Sequence, residues 1–201
     1  MAGIDTLISK SFSISLKNKI EKNLLKKIEL ELFSKHGVSI KHAVEDFQIL
    51  DKVLKNHLKN QYKKIEEDCL KQVCSIKKNG NGYSLKIIDD DLAGLIFRYW
   101  GDKENKLILN ATLVESLPVS EILSKCKIPK TSAYRKINHL IRDGMLIQVG
   151  KKKIEDGKII PKYKNIFNLI SFMISENEFS VSGKISENIL KSSTILSGID
   201  Y

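Results

Sequence analysis

Between positions 130 and 138 the chain carries Lys130, Thr131, Ser132, Tyr134, Arg135 and Asn138, a close group of hydrogen-bond donors with one aromatic ring. The chemistry open to such a group is recognition of phosphates and of nucleic-acid base edges. A guanidinium matches the paired acceptors of guanine and a carboxamide pairs with adenine, which makes Arg135 and Asn138 the base-reading candidates. Thr131 and Ser132 suit phosphate contacts or the capping of a helix. A second basic group follows at Lys151, Lys152, Lys153 and Lys158, with Lys162 and Lys164 behind it. Ammonium groups of this kind answer to phosphate charge and not to base identity.

These groups act together only if one helix and an adjoining hairpin position them. Val119, Ile122 and Leu123 follow at i, i+3 and i+4 and predict a short helix, with Ser120 as its N-cap and Glu121 in its first turn. Lys127-Ile128-Pro129 ends that helix, because proline disfavours helical geometry in the residue before it. Ile128 is expected to plug the core at the turn. Ala133, Ile137, Leu140 and Ile141 predict the buried face of a second helix, capped by Thr131 or Ser132 and closed by Gly144 as a C′ residue. Leu146, Val149 and Ile154 then predict a strand, Glu155-Asp156-Gly157-Lys158 a hairpin turn, and Ile159, Pro161, Tyr163 and Ile166 the returning strand.

The order of helix, Ile-Pro turn, Thr-Ser start, helix, Asp-Gly hairpin resembles the winged helix-turn-helix of ArsR-like regulators, especially archaeal ones, over residues 101–170. The resemblance implies sequence-specific binding to double-stranded DNA and regulation of transcription, usually as a homodimer. Metal-sensing members of that family carry Cys-x-Cys in the recognition helix. This chain has none there, and Cys126 ends the preceding helix, so metal sensing is not carried over. No cofactor is expected.

Upstream, Leu16, Ile20, Leu24, Ile28 and Leu32 repeat at i+4, with Leu25 and Phe33 widening the stripe, and Gly37 closes the predicted helix. Ser39 caps a segment with Ile40, Ala43, Val44 and Phe47. Leu50, Val53, Leu54 and Leu58, then Tyr62, Ile65, Cys69, Leu70 and Val73, continue the helical spacing. Three or four packed helices are expected. The run Leu32-Phe33-x-x-His-Gly-Val-Ser-Ile40, Ala43-Val44-Glu45-Asp46-Phe47 and the Leu50/Leu54 stripe resemble a small archaeal helical domain named after nitrosopumilus output proteins, over residues 15–75. The Gly-containing step before its last helix is missing at residues 56–61.

Lys77–Tyr83 is polar and glycine-rich and is expected to be a linker, followed by a brief strand at Tyr83, Leu85 and Ile87. Asp90 or Asp91 caps a helix that ends at Trp100-Gly101, and Leu107, Ile108, Ala111 and Leu113 predict another. Ile170, Phe172 and Ile174, then Phe179, Val181 and Ile185, predict two strands about an Asn177 turn, extending the wing sheet or pairing between subunits. Residues 186–201 are serine-rich and expected to be a loose tail. The reading is mainly α with a small β component. It divides the chain into a helical input or dimerisation domain at 5–78, a linker and connecting helix at 79–100, a winged unit at 101–175 and a short strand with tail at 176–201.

Charge follows this division. The chain carries +10 overall, and residues 117–166 hold twelve basic and four acidic side chains. A localised basic footprint is what phosphate binding requires. The N-terminal lysines read more simply as a solvated helix surface. Cys69, Cys74 and Cys126 have no paired spacing and read as buried thiols in a reducing cytoplasm. The histidines are scattered, and Asp89-Asp90-Asp91 reads as a helix cap and not a metal site. No signal peptide or membrane-spanning stretch is expected. No phosphate-loop, dinucleotide, nucleophile-elbow or zinc-protease motif occurs, which disfavours an enzyme. Two alternatives stand beside DNA recognition: a winged-helix protein-interaction module, and a general transcription-associated factor without sequence choice.

Overall fold

A computed structural model describes residues 3–80, 82–154, 156–176 and 179–196. The first helix, α1 (Gly3–Lys19), buries Ile4, Leu7, Ile8, Phe12 and Leu16 along one stripe. Four serines lie between them, poor helix formers whose hydroxyls compete for backbone partners. Here Ser9 and Ser13 donate to carbonyls one turn back, while Ser11 donates to Asp89 and Ser15 to Gln72. Their hydroxyls are therefore satisfied inside the fold, and α1 becomes the central rod of the helical part.

The chain turns at Ile20-Glu21 and continues as α2 (Lys22–His36), so the stripe from Leu16 to Leu32 is divided between two helices. A regular i+4 spacing survives such a turn unchanged, and no glycine or proline marks it. The turn lets α1 pack on α3 (Ile40–Glu45) and α5 (Tyr62–Val73) while α2 packs on α4 (Phe47–Leu58). Gly37 ends α2 at φ 66°, and Ser39 caps α3 by accepting the His42 N–H. Phe12 and Phe47 meet edge to face at 5.7 Å between ring centroids. Five helices stand where three or four were expected.

Lys77–Tyr83 is not a linker. It joins β1 (Cys74–Asn79) and β2 (Gly82–Ile87), an antiparallel hairpin paired from Cys74↔Ile87 to Asn79↔Gly82. Next come α6 (Asp90–Gly101) and α7 (Lys103–Ala111), capped by Asp89 and Asp102 through their carboxylates. The α6 cap thus lies one residue before the expected Asp90. A two-residue strand β3 (Leu117–Pro118) leads into α8 (Val119–Cys126) and α9 (Lys130–Arg142). Pro118 and Pro129 occupy the N-cap positions of these helices, in place of Ser120 and of Thr131 or Ser132. Both prolines hold extended backbone, and Pro129 accepts the Ala133 N–H through its carbonyl at 3.0 Å. Ile128 is buried at the turn, as its position predicts.

The hairpin β4 (Leu146–Lys153) and β5 (Ile159–Asn165) forms a three-stranded sheet in the order β3-β5-β4. The last strands, β6 (Leu169–Ile174) and β7 (Phe179–Ile185), do not extend it. They join the N-terminal hairpin in a second sheet of order β1-β2-β7-β6, all antiparallel, with Leu85 opposite Gly183 and Phe172 opposite Val181. Boundaries at 78/79 and 175/176 therefore fall within β1 and between paired strands, and do not separate independent units. Asn177 lies outside the described residues.

The segment after β7 is not loose. It forms α10 (Glu187–Ser192), and Ser193 and Thr194 donate to the fully buried Asp5 carboxylate of α1, Thr194 through both its N–H and its hydroxyl. Residues 197–201 lie outside the described residues. One apolar core runs from Ile4 to Leu196. The whole is mainly helical with a smaller antiparallel β component, and among the described residues no helix is long and apolar enough to cross a membrane.

Candidate nucleic-acid interface

Helix α9 is amphipathic, and its burial sets which side chains face outward. Ala133, Ile137 and Leu140 are buried, while Thr131, Tyr134, Arg135 and Asn138 are exposed. Thr131, Arg135, Asn138 and Arg142 follow at i, i+4, i+7 and i+11 and form one outward row. Arg142 lies outside the group between positions 130 and 138, and its spacing from Arg135 and Asn138 is the signal that adds it to the row. Tyr134 is 49 % exposed beside this row. Lys130 is exposed in the first turn.

Ser132 lies elsewhere. With Lys136, one turn on, it occupies the flank of α9 that faces the start of α7. Ser132 donates to Glu104 at 2.8 Å, and Lys136 reaches Asp102 at 2.7 Å and Glu104 at 3.6 Å. The Lys136 ammonium, together with the Asn105 N–H, holds the Asp102 carboxyl below the usual carboxylate range. Ser132 and Lys136 fix α9 against α7 and are not part of the outward row. Tyr99 of α6 adds a second anchor by donating to Asp143 at the end of α9. Burial, reinforced by that carboxylate, pushes the Tyr99 phenol well above its ordinary range.

The turn before α9 holds Lys127 at φ 51°, a left-handed conformation that closes α8. The end of α9 carries Gly144 at φ 75°, with Met145 N–H donating to Leu140 and Gly144 N–H to Ile141. That pattern is a Schellman cap. A Cβ at Gly144 would stand 2.5 Å from the Leu7 nitrogen and 2.6 Å from the Gly3 carbonyl oxygen, so α9 ends directly against the backbone of α1.

The hairpin brings the second basic group alongside. Lys151, Lys152, Lys153 and Lys158 are all exposed. Lys152 is bound by Glu121 of α8 and Lys158 by Asp156 at 3.0 Å. Glu155 of the expected turn lies outside the described residues; Gly157 follows at φ 81°. Lys130, Arg135, Lys151 and Lys153 form no ion pair among the described residues. The local carboxylates Asp102, Glu104 and Glu121 engage other cations, which leaves these four to an external anion.

Cys69, Cys74 and Cys126 are buried free thiols, and burial pushes Cys74 up to about 12. Thiolate chemistry is therefore suppressed at Cys74. Comparison with known proteins finds no matching family model, curated protein or solved structure.

Proposed function

We propose that residues 101–170 act as a winged helix-turn-helix of the ArsR-like type that binds double-stranded DNA sequence-specifically and regulates transcription. In this reading α8 and α9 are the two helices of the motif, α9 enters the major groove and β4–β5 is the wing. The supporting observation is the outward row of α9, made of donors without a carboxylate, beside a hairpin whose Lys151 and Lys153 are free of local acids. Arg135 reads a guanine and Asn138 an adenine, while Thr131, Tyr134, Lys130 and the hairpin lysines hold the phosphates. The helical part upstream, similar to the nitrosopumilus output domain, serves as the input or dimerisation unit. Three buried free thiols fit a reducing cytoplasm.

The test is fluorescence anisotropy on the full chain, with its own upstream region and a randomised duplex pool, each at two salt concentrations. Binding that weakens with salt and prefers one sequence is expected. Arg135→Ala should lower that preference by about 1–3 kcal/mol. Lys153→Ala should weaken all duplexes alike. Equal losses for Arg135→Ala on specific and random DNA refute base reading. No binding to any duplex at low salt refutes the DNA reading and points to a protein partner.

A further inference from the structure

Four strands lie at the edges of the two sheets, and three of them carry features that discourage pairing with another chain. Edge strand β1 carries Lys77 and Lys78. Edge strand β4 carries three lysines and a register shift between Gln148 and Lys151. Edge strand β3 is two residues long and includes Pro118. Charges, irregularity, shortness and proline are the usual protections of an open edge.

Strand β6 has none of them. Its sequence, Leu169-Ile-Ser-Phe-Met-Ile174, contains no charge, proline or glycine, and no described strand lies beyond it. Leu169 is 48 % exposed, Met173 56 % and Ile174 71 %. Phe97 of α6, itself largely exposed, stacks edge to face on Phe172 at 5.6 Å and on Phe179 at 5.3 Å. An apolar rim therefore adjoins an unused row of backbone donors and acceptors.

We infer that β6 pairs antiparallel with β6 of a second copy of this chain, joining two four-stranded sheets about a two-fold axis. The strand is self-complementary in this register. A centre at Ser171 sets Leu169 against Met173 of the partner and Ile170 against its Phe172, each pair on one face of the joined sheet and apolar against apolar at four of the five pairs. No like charges face each other. The chain carries +10, whereas residues 167–201 hold two basic and four acidic side chains, so a second copy meets less repulsion at this end than the overall charge would impose. The lysines on β1 keep the outer edges of the joined sheet from recruiting further copies, and the assembly closes at two. This inference stands independently of DNA binding, because no residue of α9 or the wing takes part.

The test is sedimentation equilibrium of the full chain over a range of concentrations without DNA. The wild type should be a dimer, and Met173→Lys with Ile174→Lys should be a monomer with an unchanged circular-dichroism spectrum. Lys77→Ala on the opposite edge should leave the dimer intact. Register is read separately with Leu169→Cys plus Met173→Cys. Facing antiparallel residues have Cα atoms about 4.5–5.5 Å apart, within bridging range. Two cysteines four residues apart along one strand cannot bridge internally. Oxidation should give a disulfide-linked dimer, and Leu169→Cys alone should give none. A monomeric wild type, a dimer that survives the paired lysines, or a double-cysteine protein without cross-linking would overturn the inference.

Discussion

Glu66 should make the fold less stable as pH rises, and Glu66→Gln should remove that loss. The residue lies in α5, only 5 % exposed. Its Oε2 is 3.2 Å from Lys63, whose ammonium sits nearer Asp51 at 2.7 Å, and its Oε1 has no hydrogen-bond partner. Burial pushes the Glu66 carboxyl up to about 7; Lys63 pulls it back, while Asp51 and Glu67 push it up further. The folded protein thus binds this proton more tightly than the unfolded chain, where the value is near 4.5. Stability from this group is complete below about 4.5 and is lost as pH rises towards 7. A difference of that size corresponds to about 3 kcal/mol at alkaline pH. Glutamine is neutral throughout, so Glu66→Gln should match the wild type near pH 4 and exceed it by about 3 kcal/mol at pH 8. Urea unfolding followed by circular dichroism at both pH values measures the difference, and groups common to both proteins cancel in it. A gap that is the same at both pH values would refute the assignment of the buried charge.

Two further outcomes follow from the ends of α8 and α9. Gly144→Ala should cost about 2–4 kcal/mol in denaturant unfolding, because it adds a Cβ at φ 75° and drives it into the backbone of α1. Thermal stability equal to wild type would refute the close approach. Lys127→Gly should instead raise stability by about 0.5–1 kcal/mol, since Lys127 holds φ 51° at a helix end where glycine is unstrained. A lower melting temperature for this variant would show that the lysine side chain contributes more than its backbone strain costs.

The parts legible in the sequence are those with local causes. Gly144 reads as a C′ residue from its position after an apolar stripe, and it has the left-handed φ that this role needs. The β4–β5 hairpin follows from Asp156-Gly157 between two strand-like runs. Ser39 and Gly37 have equally local signals, a hydroxyl before an apolar run and a glycine after one. What the sequence hides is partnership. The alternation in Ile170, Phe172 and Ile174 predicts a strand, but period alone does not name the neighbour, and β7 pairs with β2 almost a hundred residues upstream. The serines of α1 obscure a helix whose hydroxyls are satisfied by Asp89 and Gln72, residues far away in sequence.

The same limit separates Arg135 from Lys136. Both are basic, adjacent and equally suited to phosphate by residue type. Their roles diverge because the rotation of about 100° between successive helical residues points Lys136 at Asp102 and Glu104, acids at the start of another helix, and leaves Arg135 facing outward. Charge counts taken along the chain therefore overstate the free positive surface: Lys136, Lys152 and Lys158 are each held by a carboxylate of the same region. Among the cations left over are Lys130 and Arg135 on α9 and Lys151 and Lys153 on β4. Because α9 is anchored to α7 through Lys136, to α6 through Asp143 and to α1 through the backbone at Gly144, its outward row has a fixed direction relative to the helical part. A change in the packing of α1 would then be felt at the end of α9 without any flexible link between them, which is the physical route by which the upstream helices would influence what Arg135 and Asn138 touch.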